Sequence, residues 1–211
     1  MELLLESIVI DKRLHSKWLN TLSMMENTGA RKISASEHPV RVNETILKHA
    51  AEEARHAYYL KKQIRKIDPD GCPTYEFRYL LAPIQSYHYL QSLDVLSSRY
   101  LKENFQLENY ALKYASYLFV TYAIEMRADS LYPAYQKILD KFEHPVNVKS
   151  IIAEEAGHLE EMNRMLESFS RNWKSHCEWI CKKENVLFNE WMDAIKENVN
   201  SNVRIAKVKL S

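Results

Sequence analysis

Glycine and proline are scarce in this sequence, at 3 and 6 of 211 residues. A many-stranded sheet would need Gly, Asn and Asp at its hairpins, so long helices are the expected alternative. The three cysteines, Cys72, Cys177 and Cys181, cannot build a disulfide framework and contain no C-x-x-C, which points to a reducing compartment. The formal net charge is only +1, so no global field recruits nucleic acid or an acidic membrane. No stretch reaches the roughly 18 apolar residues that a membrane span requires. The opening MELLLESIVIDKR carries acids where a secretory leader would be basic. The expectation is a cytoplasmic protein with neither a nucleic-acid nor a membrane partner.

What is present is helical periodicity. The first segment runs from about Leu3 to Ser36 without proline, with Leu14, Trp18, Leu22, Met25 and Gly29 near one stripe. Pro39 ends it. A second helix is expected from about Asn43, a good N-cap, to Ile67, stopped by Asp68-Pro-Asp-Gly71. Residues 72 to about 107 form a long crossover carrying a helix from about Pro83 to Glu103. A third core helix follows from about Glu108 to Leu139 and survives Pro133, which is a candidate kink or split point. A fourth spans about Val146 to Phe169. A fifth, from about Asn172 to Val199, holds Trp173, Trp179 and Trp191 and packs across the others. No low-complexity segment or boundary interrupts the chain, so residues 1–211 read as one all-α domain: two helix pairs joined by a crossover helix, with an extra C-terminal helix.

Two strings carry the chemistry. Ala51-Glu-Glu-Ala-Arg-His56 lies in the second helix and Ala153-Glu-Glu-Ala-Gly-His158 in the fourth. In each, a glutamate and a histidine three residues apart (Glu53 and His56, Glu155 and His158) share one helix face, one turn apart, so both can reach one cation. Glu26 and Glu125 interrupt apolar stretches in the other two core helices. A carboxylate on an apolar face is costly unless paired or metal-bound. Glu26 precedes Glu53 by 27 residues, and Glu125 precedes Glu155 by 30. The midpoints fall near Pro39 and near the start of Asp140-Lys-Phe-Glu-His-Pro145. Two antiparallel hairpins would therefore bring their ligands level.

The order Glu, Glu-x-x-His, Glu, Glu-x-x-His over about residues 20–170 resembles the ferritin-like di-iron carboxylate superfamily, which includes rubrerythrins, bacterioferritins, acyl desaturases and hydrocarbon or tRNA hydroxylases. The resemblance implies a ferritin-like four-helix bundle with metal ligands Glu26, Glu53, His56, Glu125, Glu155 and His158. It also favours Glu53 and Glu155 over Glu52 and Glu154, which lie four residues before the histidines and could reach the same ion. The implied cofactor is two iron ions, with manganese or a mixed Fe/Mn pair as alternatives.

Other residues admit two readings each. Tyr122, one turn before Glu125, is a candidate catalytic tyrosine at the metals or a core side chain. Asp129, one turn after Glu125, orients a ligand histidine or faces solvent. Gly29 and Gly157 allow close helix packing or leave room at the site. His49 is packed or on the surface. Cys177 and Cys181 lack further ligands.

The leading expectation is an oxidoreductase that uses dioxygen or peroxide to oxidise a small-molecule substrate the sequence does not identify. No four-cysteine iron module is present, so electrons would come from a donor protein. The alternatives are a ferroxidase or iron-handling protein, and a non-catalytic helical interaction module. The aromatic content is compatible with a homodimer.

Overall fold

A computed structural model describes residues 1–208, with side chains described as far as Ser201. Seven α-helices and one short 3-10 turn account for the ordered elements, and among the described residues no strand forms. The helices are α1 (Glu2–Ile10), α2 (Lys12–Ser36), α3 (Glu44–Ile67), α4 (Pro83–Phe105), α5 (Asn109–Lys141), α6 (Lys149–Phe169) and α7 (Trp173–Val208).

The expected unbroken helix from Leu3 to Ser36 is two helices. Asp11 adopts an extended conformation, and its carboxylate accepts hydrogen bonds from the amides of Arg13 and Leu14 at 2.9 and 3.0 Å. An N-cap of this kind starts a new helix, because it satisfies amides that have no partner in the first turn. Asn43 does the same for α3, accepting from Thr45 and Ile46. Pro83 occupies the first turn of α4, where its missing N–H costs nothing. Pro133 neither ends nor splits α5, which continues to Lys141. Pro133 is on the exposed face, where water can satisfy the carbonyl that the ring leaves unbonded. The last helix runs beyond the expected Val199 to Val208.

Two helical hairpins form the framework: α2 packs along α3, and α5 packs along α6. The turns that close them, residues 37–43 and 142–148, contain Pro39 and Pro145. α4 crosses between the hairpins and packs on α5 and α7, while α1 lies against α2 and α5. α7 buries Trp173, Cys177, Ile180, Glu184, Leu187, Trp191 and Ile195 at three- and four-residue steps, the stripe of a helix lying on a core. Trp191 stacks on Tyr89 of α4 and on Trp18 of α2, both at 5.7 Å between ring centroids, and donates to Ser86 Oγ at 2.8 Å. Arg127 of α5 makes a two-pronged contact with the buried Glu184 of α7, at 2.9 and 2.8 Å, and Tyr89 donates to the same carboxylate at 2.6 Å. These contacts pair the buried Glu184 carboxylate where α4, α5 and α7 meet. Among the described residues, no helix is long and apolar enough to cross a membrane.

Candidate metal centre

The apolar faces of α2, α3, α5 and α6 carry four glutamates and two histidines to one place. Glu53, His56, Glu125, Glu155 and His158 are buried, and Glu26 is nearly so. Two sets of donor atoms form. In one, Glu26, Glu53, His56 and Glu155 offer atoms all within 4.8 Å of one another; in the other, Glu53, Glu125, Glu155 and His158 do. The sets share Glu53 and Glu155. Glu155 faces both ways: one oxygen lies 3.1 Å from His56 Nδ1, and the other lies 3.2 Å from His158 Nδ1. Glu26 lies 3.8 Å from His56 Nδ1, and Glu125 lies 3.4 Å from His158 Nδ1. All six expected ligands are thus brought together, and the protein holds a buried acid–histidine cluster that could bind metal.

Glu52 and Glu154 point elsewhere. Glu52 on α3 accepts from Nε2 of His158 on α6 at 2.7 Å, and Glu154 on α6 accepts from Nε2 of His56 on α3 at 2.8 Å. Arg55 clamps Glu154 with two contacts of 2.7 Å. Each motif therefore supplies one glutamate to the interior and one to the back of the opposite motif's histidine. A carboxylate at Nε2 holds a proton there, so that when a ring gives up one proton it is Nδ1, the nitrogen facing the cluster, that becomes free to ligate.

The electrostatics of the cluster itself show how poorly it tolerates its own charge. Burial, then the neighbouring Glu26 carboxylate, push Glu53 well above the usual carboxylate range. Burial, then the hydrogen bond shared with Glu155, do the same to Glu125. Burial disfavours the imidazolium of His56, but Glu155 and Glu26 outweigh it and raise the ring to about 10. In His158, burial is likewise overcome, by Glu125 and Glu155, and the ring rises to about 11. Burial also works against the charge of Glu155, yet contacts to Glu125 and to both histidines hold its carboxyl below the usual value. Protons are thus retained where like charges meet. Two buried atoms of the cluster, Glu125 Oε2 and His56 Nδ1, have no hydrogen-bond partner among the described residues. Four carboxylates, two imidazoles and donor atoms left over are what a pair of divalent cations would satisfy, and the mixed O/N set suits iron or manganese.

Tyr122 does not join the cluster. A three-residue step turns it about 60° from Glu125 around the helix axis, far enough to face α7, where it meets Trp173 edge-on at 5.8 Å. The tyrosine at the site is Tyr132, two turns after Glu125. It is buried, it donates to Glu26 Oε1, and burial together with that carboxylate holds its hydroxyl protonated. A seven-residue search forward from Glu125 would have found it. Asp129 is exposed. Gly29 faces the site: a Cβ there would sit 3.5 Å from Glu53 Oε2. Gly157 faces open space, with nothing within 4 Å of an added Cβ, so it serves neither close packing nor the site. His49 is packed, 4.9 Å from the His158 ring. It accepts from Tyr117 at Nδ1 and donates from Nε2 to Glu161, both at 2.7 Å.

A cavity of about 460 Å³ opens onto this centre. Glu26, Glu53, Glu125 and Tyr132 lie on its inner wall, and the remaining walls come mainly from apolar side chains of α2, α4 and α5. No protein-family model, no curated protein and no solved structure matches this chain.

Proposed function

We propose that α2, α3, α5 and α6 form a ferritin-like four-helix bundle whose six inward residues hold two metal ions, iron by their donor chemistry, and that the protein is an oxidoreductase. The observation that carries this reading is the pair of overlapping donor sets that share Glu53 and Glu155. Two separate mononuclear sites would not share ligands, whereas a dinuclear site with bridging carboxylates does. When bound, the ferrous pair supplies the electrons and open coordination positions that reduce dioxygen or peroxide.

The chain's own residues do the rest. Glu26 and His56 would hold one ion and Glu125 and His158 the other, with Glu53 and Glu155 belonging to both donor sets. Glu52 and Glu154 would keep each bound histidine protonated at Nε2, with Nδ1 toward the metal. Tyr132 holds a proton at the Glu26 oxygen it contacts, beside the cavity. The apolar cavity walls exclude water from the reacting region, and the electrons that restore the reduced state come from a donor protein. The cavity favours substrate oxidation over iron storage, since storage needs a passage for hydrated ions rather than an apolar chamber.

The test is anaerobic loading with ferrous iron, counting the metal, then admitting oxygen. Two ions per chain, and a visible absorption change on oxygenation, support the reading. An unloaded chain as stable as one incubated with iron, with no iron retained, supports a non-catalytic helical module instead.

A further inference from the structure

The cavity has two ends of different chemistry. Its inner wall is the metal centre. Its outer wall lies where α2 finishes and α5 begins, since the less buried residues that line it, Lys32, Ser36, Asp94, Val95 and Lys113, gather there. Lys32 is neutralised by Asp94 at 2.8 Å and donates to the Leu90 carbonyl at 3.0 Å. Lys113 has no carboxylate partner among the described residues; its ammonium rests 5.1 Å from the Tyr110 ring. One turn further along the same face of α5 is Ser116. Its hydroxyl is buried and has no hydrogen-bond partner among the described residues. A buried polar group in a ligand cavity without a protein partner marks a place for a ligand atom. Between this polar end and the centre, the wall is formed by Leu90, Leu93, Val120 and Ile124.

We infer that the cavity takes an amphiphile with an aliphatic body and a carboxylate head, the head held by Lys113 and the Ser116 hydroxyl and the body running along α5 toward Glu125. As the substrate class of the proposed enzyme, this rests on the metal-centre reading; as a binding site, it stands on the cavity alone. An anionic head pairs with the one cation at the mouth that no carboxylate neutralises and fills the orphan hydroxyl's need for an acceptor. A cationic head would meet Lys113 as a like charge. A headless hydrocarbon would leave Ser116 unsatisfied.

The test uses the full chain, both metal-free and after anaerobic ferrous loading. Fluorescence of 1-anilinonaphthalene-8-sulfonate bound to the protein is displaced at neutral pH by decanoate, decanol or decylamine. Decanoate should displace about tenfold more tightly than decanol, the scale of one charge-assisted contact, and decylamine least of all. Lys113→Glu should remove that advantage while leaving decanol unchanged. Val120→Trp should abolish binding of all three, with an unchanged helical spectrum as the folding control; if it does not fold, Lys113→Glu and Ser116→Ala carry the test. Equal displacement by all three probes, or decanoate binding untouched by Lys113→Glu, overturns the inference. If iron fails to load while the decanoate preference persists, only the metal-centre reading falls. If two ions load and the preference is absent, only this inference falls.

Discussion

Glu52 on α3 accepts a hydrogen bond at 2.7 Å from Nε2 of His158 on α6, and so acts on the motif it does not belong to. The reciprocal contact from Glu154 to His56, at 2.8 Å, makes the two Glu-Glu-x-x-His strings interdependent. Replacing Glu52 or Glu154 with Gln keeps the shape and removes the charge that fixes the imidazole. Iron affinity should then fall about 10- to 100-fold, with two ions still bound at saturation. Glu53→Ala and Glu155→Ala each remove a shared ligand and should abolish loading of the pair. Ferrous titration followed by elemental analysis separates the two classes; equal losses in both would mean that the inward and backing roles are misassigned.

Loading should release protons. His56 and His158, raised to about 10 and about 11, hold imidazolium protons at neutral pH, and Glu53 and Glu125 are pushed toward their protonated forms. Metal ligation needs the free lone pairs, so cation and proton compete. The sign follows: as pH rises toward the histidine values, fewer protons must be displaced and apparent affinity increases. A weakly buffered titration with a pH indicator measures this, and about two protons per chain are expected from the histidines alone. Affinity that is flat or falling with rising pH would contradict the ligand set.

Tyr132→Phe removes the hydroxyl donor to the largely buried Glu26 carboxylate. Unfolding of the metal-free protein in urea should become easier by about 1–3 kcal/mol. Tyr122→Phe should leave loading and the oxygen-driven absorption change as they are, because that side chain faces Trp173.

Trp191 joins three helices through its stacks on Tyr89 and Trp18 and its bond to Ser86. Trp191→Ala should cost about 3–5 kcal/mol in denaturant unfolding, the cost of a large cavity in a packed core. A loss below about 1 kcal/mol would mean that α7 is not integral to the fold.

Gly157→Ala offers the opposite sign. An added methyl meets nothing, so the helix should gain about 1 kcal/mol from propensity alone, with iron loading unchanged.

The long helices and the six inward residues were legible because each rests on one-dimensional spacing: three residues from Glu53 to His56 and from Glu155 to His158, and a near-equal distance from each lone glutamate to its motif across a proline-marked turn. The break at Asp11 was hidden because apolar periodicity continues through it, and only the cap geometry reveals the restart. That α5 runs past Pro133 was legible from the periodicity on both sides of it; whether the proline also splits the helix was not, because that depends on which face packing leaves exposed. The crossed roles of Glu52 and Glu154 were not legible at all. They depend on which motif faces which across the interior, and spacing along one helix does not encode that. Tyr132 lies two turns from Glu125, beyond the one-turn spacing that singles out Tyr122, and only the packing of α5 against α2 brings it to Glu26.

The most direct measurement is anomalous diffraction at the iron edge from crystals of the anaerobically loaded protein. Two peaks about 3.5–4 Å apart, with Glu53 and Glu155 reaching both, are expected. A single peak, or iron bound away from His56 and His158, would contradict the dinuclear centre.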